Sequence, residues 1–196
     1  MNAIPNKTHQ ERGGYTLIEF VVATGLFIFI IALVTTIFTQ SLRAQRMLNA
    51  MMEVQSNASL SIEQIMREMR TGFSFAATSI SGSACDAVGW YDSISFTRSV
   101  RNATSTIEYR WENASIVRTE TPSGGTPAVS TLNASSVAVN RLCFALNNNN
   151  GSSPDPTIPW RVTLFMNVGP SDERIKERTL DIETTVSART LPSETQ

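Results

Sequence analysis

Histidine is almost missing from this chain: among 196 residues only His9 is one, and it stands within the first ten. The commonest general base and metal ligand is therefore absent from everything that follows. No serine sits in a G-x-S-x-G setting, and neither a phosphate-cradling glycine loop nor an S-x-x-K motif occurs. Carboxylates alone remain as candidate acids or bases. Asp92, Glu108 and Glu112 are the ones near strand-like segments, and solvated strand faces account for them more simply than catalysis does. No enzyme and no cofactor is expected. Cysteine occurs twice, at Cys85 and Cys143, too few for a four-ligand zinc site in a chain without other histidines. Neither sign of charge prevails, since 16 Lys and Arg face 17 Asp and Glu for a net charge of −1, so no electrostatic case for nucleic acid follows. Between Gly25 and Gly72 there is neither proline nor glycine.

What is present is one long apolar run. Residues 15–38 read YTLIEFVVATGLFIFIIALVTTIF, with Glu19 as the only charge. At about 1.5 Å per residue a helix of this length crosses a hydrocarbon core of roughly 30 Å. A carboxylate inside such a span is costly and wants a partner, even four residues from the start of the run. A secretory signal fits poorly, because its apolar region is shorter, about 7 to 15 residues, and no A-x-A-like site follows. An ordinary single-pass anchor with a stray acid is the plain alternative.

Basic residues Lys7 and Arg12, then Gly14, then Tyr15-Thr16-Leu17-Ile18-Glu19 and the apolar stretch resemble a type IV prepilin or pseudopilin. The resemblance implies a leader over 1–14, removed by a prepilin peptidase between Gly14 and Tyr15 with methylation of the new amino terminus. It implies that Glu19 pairs with the terminal amine of a neighbouring subunit during filament assembly. It further implies a cytoplasmic leader, an inner-membrane span over 15–38, and an extracytoplasmic carboxy-terminal head. The implied partners are other pilin or pseudopilin subunits, the prepilin peptidase, an inner-membrane assembly platform and membrane lipid. Many major pilins carry a proline where Thr35 and Thr36 stand here. That departure, with the words SIEQIMREMRTG and LDIETTVSARTL, is closer to minor subunits such as the J-type pseudopilin of type II secretion or the W-type minor pilin.

Charge alone barely sets the orientation, because Lys7 and Arg12 precede the span and Arg43 and Arg46 follow it. Cys85 and Cys143 suit an oxidising destination, where a bridge would contribute about 4 kcal/mol in the chain-entropy account. Two buried thiols are the other reading.

Past the span the helical pattern continues, and one helix is predicted over 16–70, with 39–71 carrying it into the head. Leu60, Ile62, Ile65, Met66, Met69 and Phe73 form the predicted apolar stripe, with Glu63, Arg67, Glu68 and Arg70 opposite. Leu42, Leu48, Met51, Met52 and Val54 suit a helix touching neighbours. Gly72 is the expected stop, through a left-handed conformation. From there the period becomes two. Strands are predicted in SISFTRSV, in TIEYRWE with Ile107, Tyr109 and Trp111 on one face, and over 115–119, 136–146, 160–168 and 180–188. A hairpin connection is predicted at 101–104, with loops at 122–127, 147–159 and 169–172. The fold class is α+β, a long amino-terminal helix packed on an antiparallel, pilin-like β-sheet head over 72–196.

Three further signals are weaker. The loop NNNNGSSPDPTIPW offers one carboxylate, Asp155, where calcium takes about 6 to 8 oxygens. Asn-x-Ser/Thr triplets begin at Asn57, Asn102, Asn113, Asn133 and Asn150 and read as turns and strand edges. Trp90, Tyr91 and Trp160 read as core aromatics rather than adhesive ones. Beside the filament subunit stand an anchored binding module, such as an adhesin or DNA-uptake subunit, and an anchored enzyme.

Overall fold

A computed structural model describes residues 14–79, 85, 88–100, 103–147, 158–172, 175 and 177–189. The chain divides into two compact units, Met1–Arg46 and Met47–Gln196. Helix α1 runs Leu17–Arg70, so it supplies the first unit and enters the second.

In the first unit the helix is apolar and exposed. Its hydroxyls are absorbed by its own backbone: Thr24 donates to the Phe20 carbonyl at 2.9 Å, Thr35 to Ile31 at 2.8 Å and Thr36 to Ala32 at 2.9 Å. Such back-bonding satisfies these threonine hydroxyls within the helix itself.

The second unit contains two antiparallel sheets. Strands β1 (Phe73–Thr78), β3 (Ser93–Val100), β4 (Ala103–Glu112), β5 (Ser115–Pro122) and β6 (Ala128–Thr131) form one sheet in the order β1-β3-β4-β5-β6. Strands β2 (Trp90–Tyr91), β7 (Val137–Asn147), β8 (Arg161–Pro170) and β9 (Leu180–Ser187) form the other, in the order β2-β7-β8-β9. The α+β class stands, with two sheets where a single one is predicted. They share one core with the end of the helix: Val54, Ile65 and Met69 lie against Phe96, Ile107, Tyr109, Leu142, Phe144 and Leu164.

The buried stripe on the helix is Val54, Ala58, Ser61 and Ile65, spaced three or four apart, followed by the adjacent Glu68 and Met69. This rotates the predicted stripe. Leu60 is 64% exposed, while Glu68, assigned to the solvated side, is buried. The small Ala58 and Ser61 occupy the inner positions, and Ser61 can be buried because its hydroxyl donates to the Asn57 carbonyl at 2.9 Å. Leu48 and Met52 point outward.

Strand β7 is buried at Val137 and Val139 and then at Leu142 and Phe144, a change of parity that period-two reasoning cannot produce. A register shift between Val139 and Arg141 supplies it, the extra residue of a bulge returning apolar side chains to the core. Trp111 leaves the inward row of its strand, is 43% exposed, and donates its indole N–H to the Val139 carbonyl at 2.6 Å. The Val139 N–H in turn reaches the Ala114 carbonyl at 2.9 Å, so β4 and its turn tie the sheets together.

Helix α1 ends as expected near Gly72, for a different reason. Gly72 is not left-handed; Ser74 is, at φ 53°, where β1 departs from regular pairing with β3. Glycine is required at position 72 because a Cβ there would lie 2.5 Å from Cδ2 of Phe96. That ring is 5.3 Å from Phe75 and 6.2 Å from Tyr109, centroid to centroid, and cannot retreat. Gly72→Ala is expected to cost about 2 kcal/mol through overpacking, measured by urea unfolding of the full chain in detergent.

The β4–β5 connection has two residues, Asn113 at φ 50° and Ala114 at φ 58°. This is the type I′ geometry that favours Asn-Gly. Alanine there carries a left-handed cost of roughly 1 kcal/mol. Ala114→Gly is therefore expected to stabilise the head by about 0.5 kcal/mol, after the entropy that glycine adds to the unfolded chain. An unchanged or lower urea midpoint would contradict it.

Boundaries moved elsewhere. Ala103 and Thr104 belong to β4 rather than a turn, with Ala103 paired to Val100, and residues 101–102 lie outside the described residues. Gly169 and Pro170 continue β8, paired with Ala138 and Val137, rather than opening a loop. Pro122 ends β5, paired with Ser105, and a turn follows with Gly124 at φ 76°.

Candidate functional site

Candidate functional groups gather at three places: the start of α1, a buried carboxylate cluster at its end, and the surface around the cysteines.

At the start, Thr16 precedes the helix and its Oγ1 accepts the Glu19 N–H at 3.4 Å, while the Phe20 N–H bonds the Thr16 carbonyl at 3.2 Å. Thr16-x-x-Glu19 therefore has the spacing of a capping box, a signal legible in the sequence but overlooked there. An acid in the first turn also meets the positive end of the helix dipole. Gly14 is exposed, with open space where a side chain would stand, and Tyr15 is 88% exposed. The candidate processing pair and Glu19 are all exposed, the pair lying just ahead of the helix and Glu19 in its first turn. Helix α1 is long and apolar enough to cross a membrane, and its most apolar stretch is wholly unburied.

At the other end, Glu68 gathers partners from three strands. Its Oε2 accepts the Tyr109 hydroxyl at 2.6 Å and Arg118 Nε at 3.0 Å; its Oε1 accepts Arg118 Nη2 at 3.1 Å and Arg98 Nη1 at 3.5 Å. The Arg118 contact is bidentate, the strongest geometry for this pair. Arg118 also reaches Glu120 at 2.8 Å. Burial, then the hydrogen bond to Glu68, hold the Tyr109 phenol far above its ordinary value. Burial alone would lower the Arg118 guanidinium, but its bonds to Glu68 and Glu120 outweigh that and raise it. A neutral phenol, a carboxylate and a guanidinium so enclosed hold the helix end to the sheet. They present no reacting atom to solvent.

The hydrogen bond from Arg118 holds Glu120 below the ordinary glutamate value of 4.5. A lowered folded value stabilises above the unfolded value and is lost as pH falls through the folded one. The head is therefore expected to keep this contribution at pH 6 and to lose it in acid below about pH 4, measured as a urea midpoint against pH. Glu120→Gln should flatten that fall.

The candidate acids do not converge. Glu108 and Glu112 flank Arg110 on the outward side of β4, at 3.6 and 3.0 Å, a surface charge ladder. Asp92 lies beyond β2, its N–H bonded to the Thr78 carbonyl at 3.0 Å. Asp155 is outside the described residues. Among the described residues no group of three His, Cys, Asp or Glu side chains could hold a metal.

Cys85 and Cys143 are joined by a disulfide with Cα atoms 5.7 Å apart. Beside it a cleft of about 210 Å³ is lined by Trp90, Arg141, Cys143 and Phe165. Arg141 stacks over Phe165 at 5.3 Å and Trp90 meets the same ring edge-on at 6.3 Å. Trp90 and Tyr91 are half-buried rather than core, and Trp160 packs partly against the core at 6.2 Å from Phe75.

Of the asparagine triplets, those at Asn57 and Asn133 serve the fold, while Asn102 and Asn150 lie outside the described residues. Asn133 Oδ1 accepts the Ile116 N–H at 2.9 Å and its Nδ2 donates to the Val137 carbonyl at 2.7 Å. Asn57 Oδ1 accepts the Ala134 N–H at 3.2 Å, tying the helix to the β6–β7 connection.

No protein-family model, curated protein or solved structure matches the chain.

Proposed function

We propose that this chain is a minor pilin or pseudopilin, a structural subunit that enters a type IV pilus or a type II secretion pseudopilus through its amino-terminal helix. The observation that carries the reading is the construction of α1. It begins three residues after Gly14, bears Glu19 in its first turn, stays exposed and apolar through Phe38, and runs without a break to Arg70 under a β-rich head. An apolar helix can leave lipid only for an equally apolar neighbour, and a helix of this design offers one to its own kind. Glu19 then supplies the single charge that fixes register against a neighbour's terminal amine. The leader over 1–14 is removed by a prepilin peptidase on the cytoplasmic side. The head stands on the other side of the inner membrane, where the disulfide suits an oxidising compartment. A tip or initiation complex suits a subunit without the proline of many major pilins.

The test is recovery of the tagged full chain, co-expressed with candidate partner subunits and the assembly platform, in filaments sheared from cells. Its presence there supports the reading. Its retention in the membrane fraction of cells whose filaments assemble normally would overturn it.

A further inference from the structure

From Phe20 to Met52 the chain carries only two charges, Arg43 and Arg46, and no carboxylate occurs between Glu19 and Glu53. Both arginines are exposed, and neither has an ion pair or hydrogen bond among the described residues. Three residues apart, they share one face of α1. No acid lies at their helical neighbours, Thr39, Gln40, Leu42, Met47, Asn49 and Ala50. The two guanidinium groups are therefore left open by their own helix.

Their depth is informative. Arg43 and Arg46 lie about 8 and about 12 Å along the axis beyond Phe38, where the apolar run ends. A bilayer adds roughly 5 to 8 Å of headgroup region to each side of its hydrocarbon core. Every Cα–Cβ bond in a helix tilts toward the amino terminus, so both side chains lean back toward the apolar run whichever way the helix is inserted. Long arginine stems extend that reach. The planar fork of arginine matches phosphate oxygens in pairs.

We propose that Arg43 and Arg46 form a binding site for lipid phosphate groups, which fixes the depth of α1 in the membrane before assembly. Removal of the leader takes Lys7 and Arg12 with it, so these two arginines then become the basic pair nearest the span. The inference rests on the membrane-spanning reading of α1.

The experiment reconstitutes the full chain into vesicles of phosphatidylethanolamine and phosphatidylglycerol in phosphate-free buffer, with guanidinium carbons labelled with carbon-13. Dipolar dephasing by lipid phosphorus-31 is compared between the wild-type chain and R43Q/R46Q, and protease protection reports insertion. Dephasing in the wild type that falls in the double variant, leaving only what Arg12 of the leader contributes, is the expected result. Equal dephasing in both chains, or none in either, with α1 inserted, would overturn the site and leave the span intact. A helix that fails to insert would overturn the span and the site together. Unchanged tryptophan fluorescence shows that the variant head is folded, since Trp90, Trp111 and Trp160 all lie there.

Discussion

Glu68→Ala is expected to destabilise the head by about 3 kcal/mol, the cost of removing one partner from a buried ion pair. The substitution leaves Arg118, whose side chain is 12% exposed, without its bidentate acceptor, and strands the hydroxyl of Tyr109 in the core. Arg98, at 32% exposure, can turn to water and adds less. Glu68→Gln keeps the shape and an oxygen for Tyr109 but loses the charge, so it should cost less than alanine. Urea unfolding of the full chain in detergent, followed by tryptophan fluorescence, measures both, because every tryptophan lies in the head. A loss below about 1 kcal/mol for alanine would place this pair with solvent-exposed bridges, contrary to its burial. Replacing Glu68, Arg118 and Tyr109 together by apolar residues should cost less than Glu68→Ala alone, since the expense lies in the orphaned groups.

Glu19→Ala is expected to leave insertion, leader removal and the head unchanged while assembly falls at least about tenfold, a loss equivalent to some 1.4 kcal/mol of pairing free energy. A carboxylate paired with an amine among apolar helices acts in a low dielectric, where a charge pair far exceeds its strength in water. A capping role for the Glu19 carboxylate is the competing account, because Thr16-x-x-Glu19 has capping-box spacing and Thr16 Oγ1 accepts the Glu19 N–H. Glutamine separates the two. It serves a capping box as glutamate does but carries no charge, so Glu19→Gln should assemble as poorly as Glu19→Ala. Normal assembly of the glutamine variant, measured as chain in the sheared filament fraction, would assign Glu19 to the cap.

The long helix was legible because composition alone decides it: no proline, no glycine after Gly25, and an apolar run too long for a core helix. The strands with regular alternation, β3, β4 and β9, were legible for the same local reason. Strand β1 was not, because Ser74 at φ 53° breaks its period, and β6 was not, because all four of its residues are exposed. The Glu68 cluster was hidden for a different reason. Its partners Tyr109 and Arg118 stand 41 and 50 residues away, and a carboxylate beside Arg67 and Arg70 reads locally as surface. Phe96 explains Gly72 only once β3 has packed beneath the helix end. Helix phase failed at Leu60 because Ala58 and Ser61, small residues with weak apolar signal, hold the inner positions. At the start of α1 the residues stand as the sequence orders them, since the chemistry there is contiguous from Gly14 to Glu19.

Whether this chain is a processed filament subunit is read from its amino-terminal mass after co-expression with a prepilin peptidase in membranes. The expected product starts at Tyr15 and carries one added methyl group. An intact leader, on a chain shown to be inserted and accessible to the peptidase, would contradict it and reduce α1 to an ordinary membrane anchor.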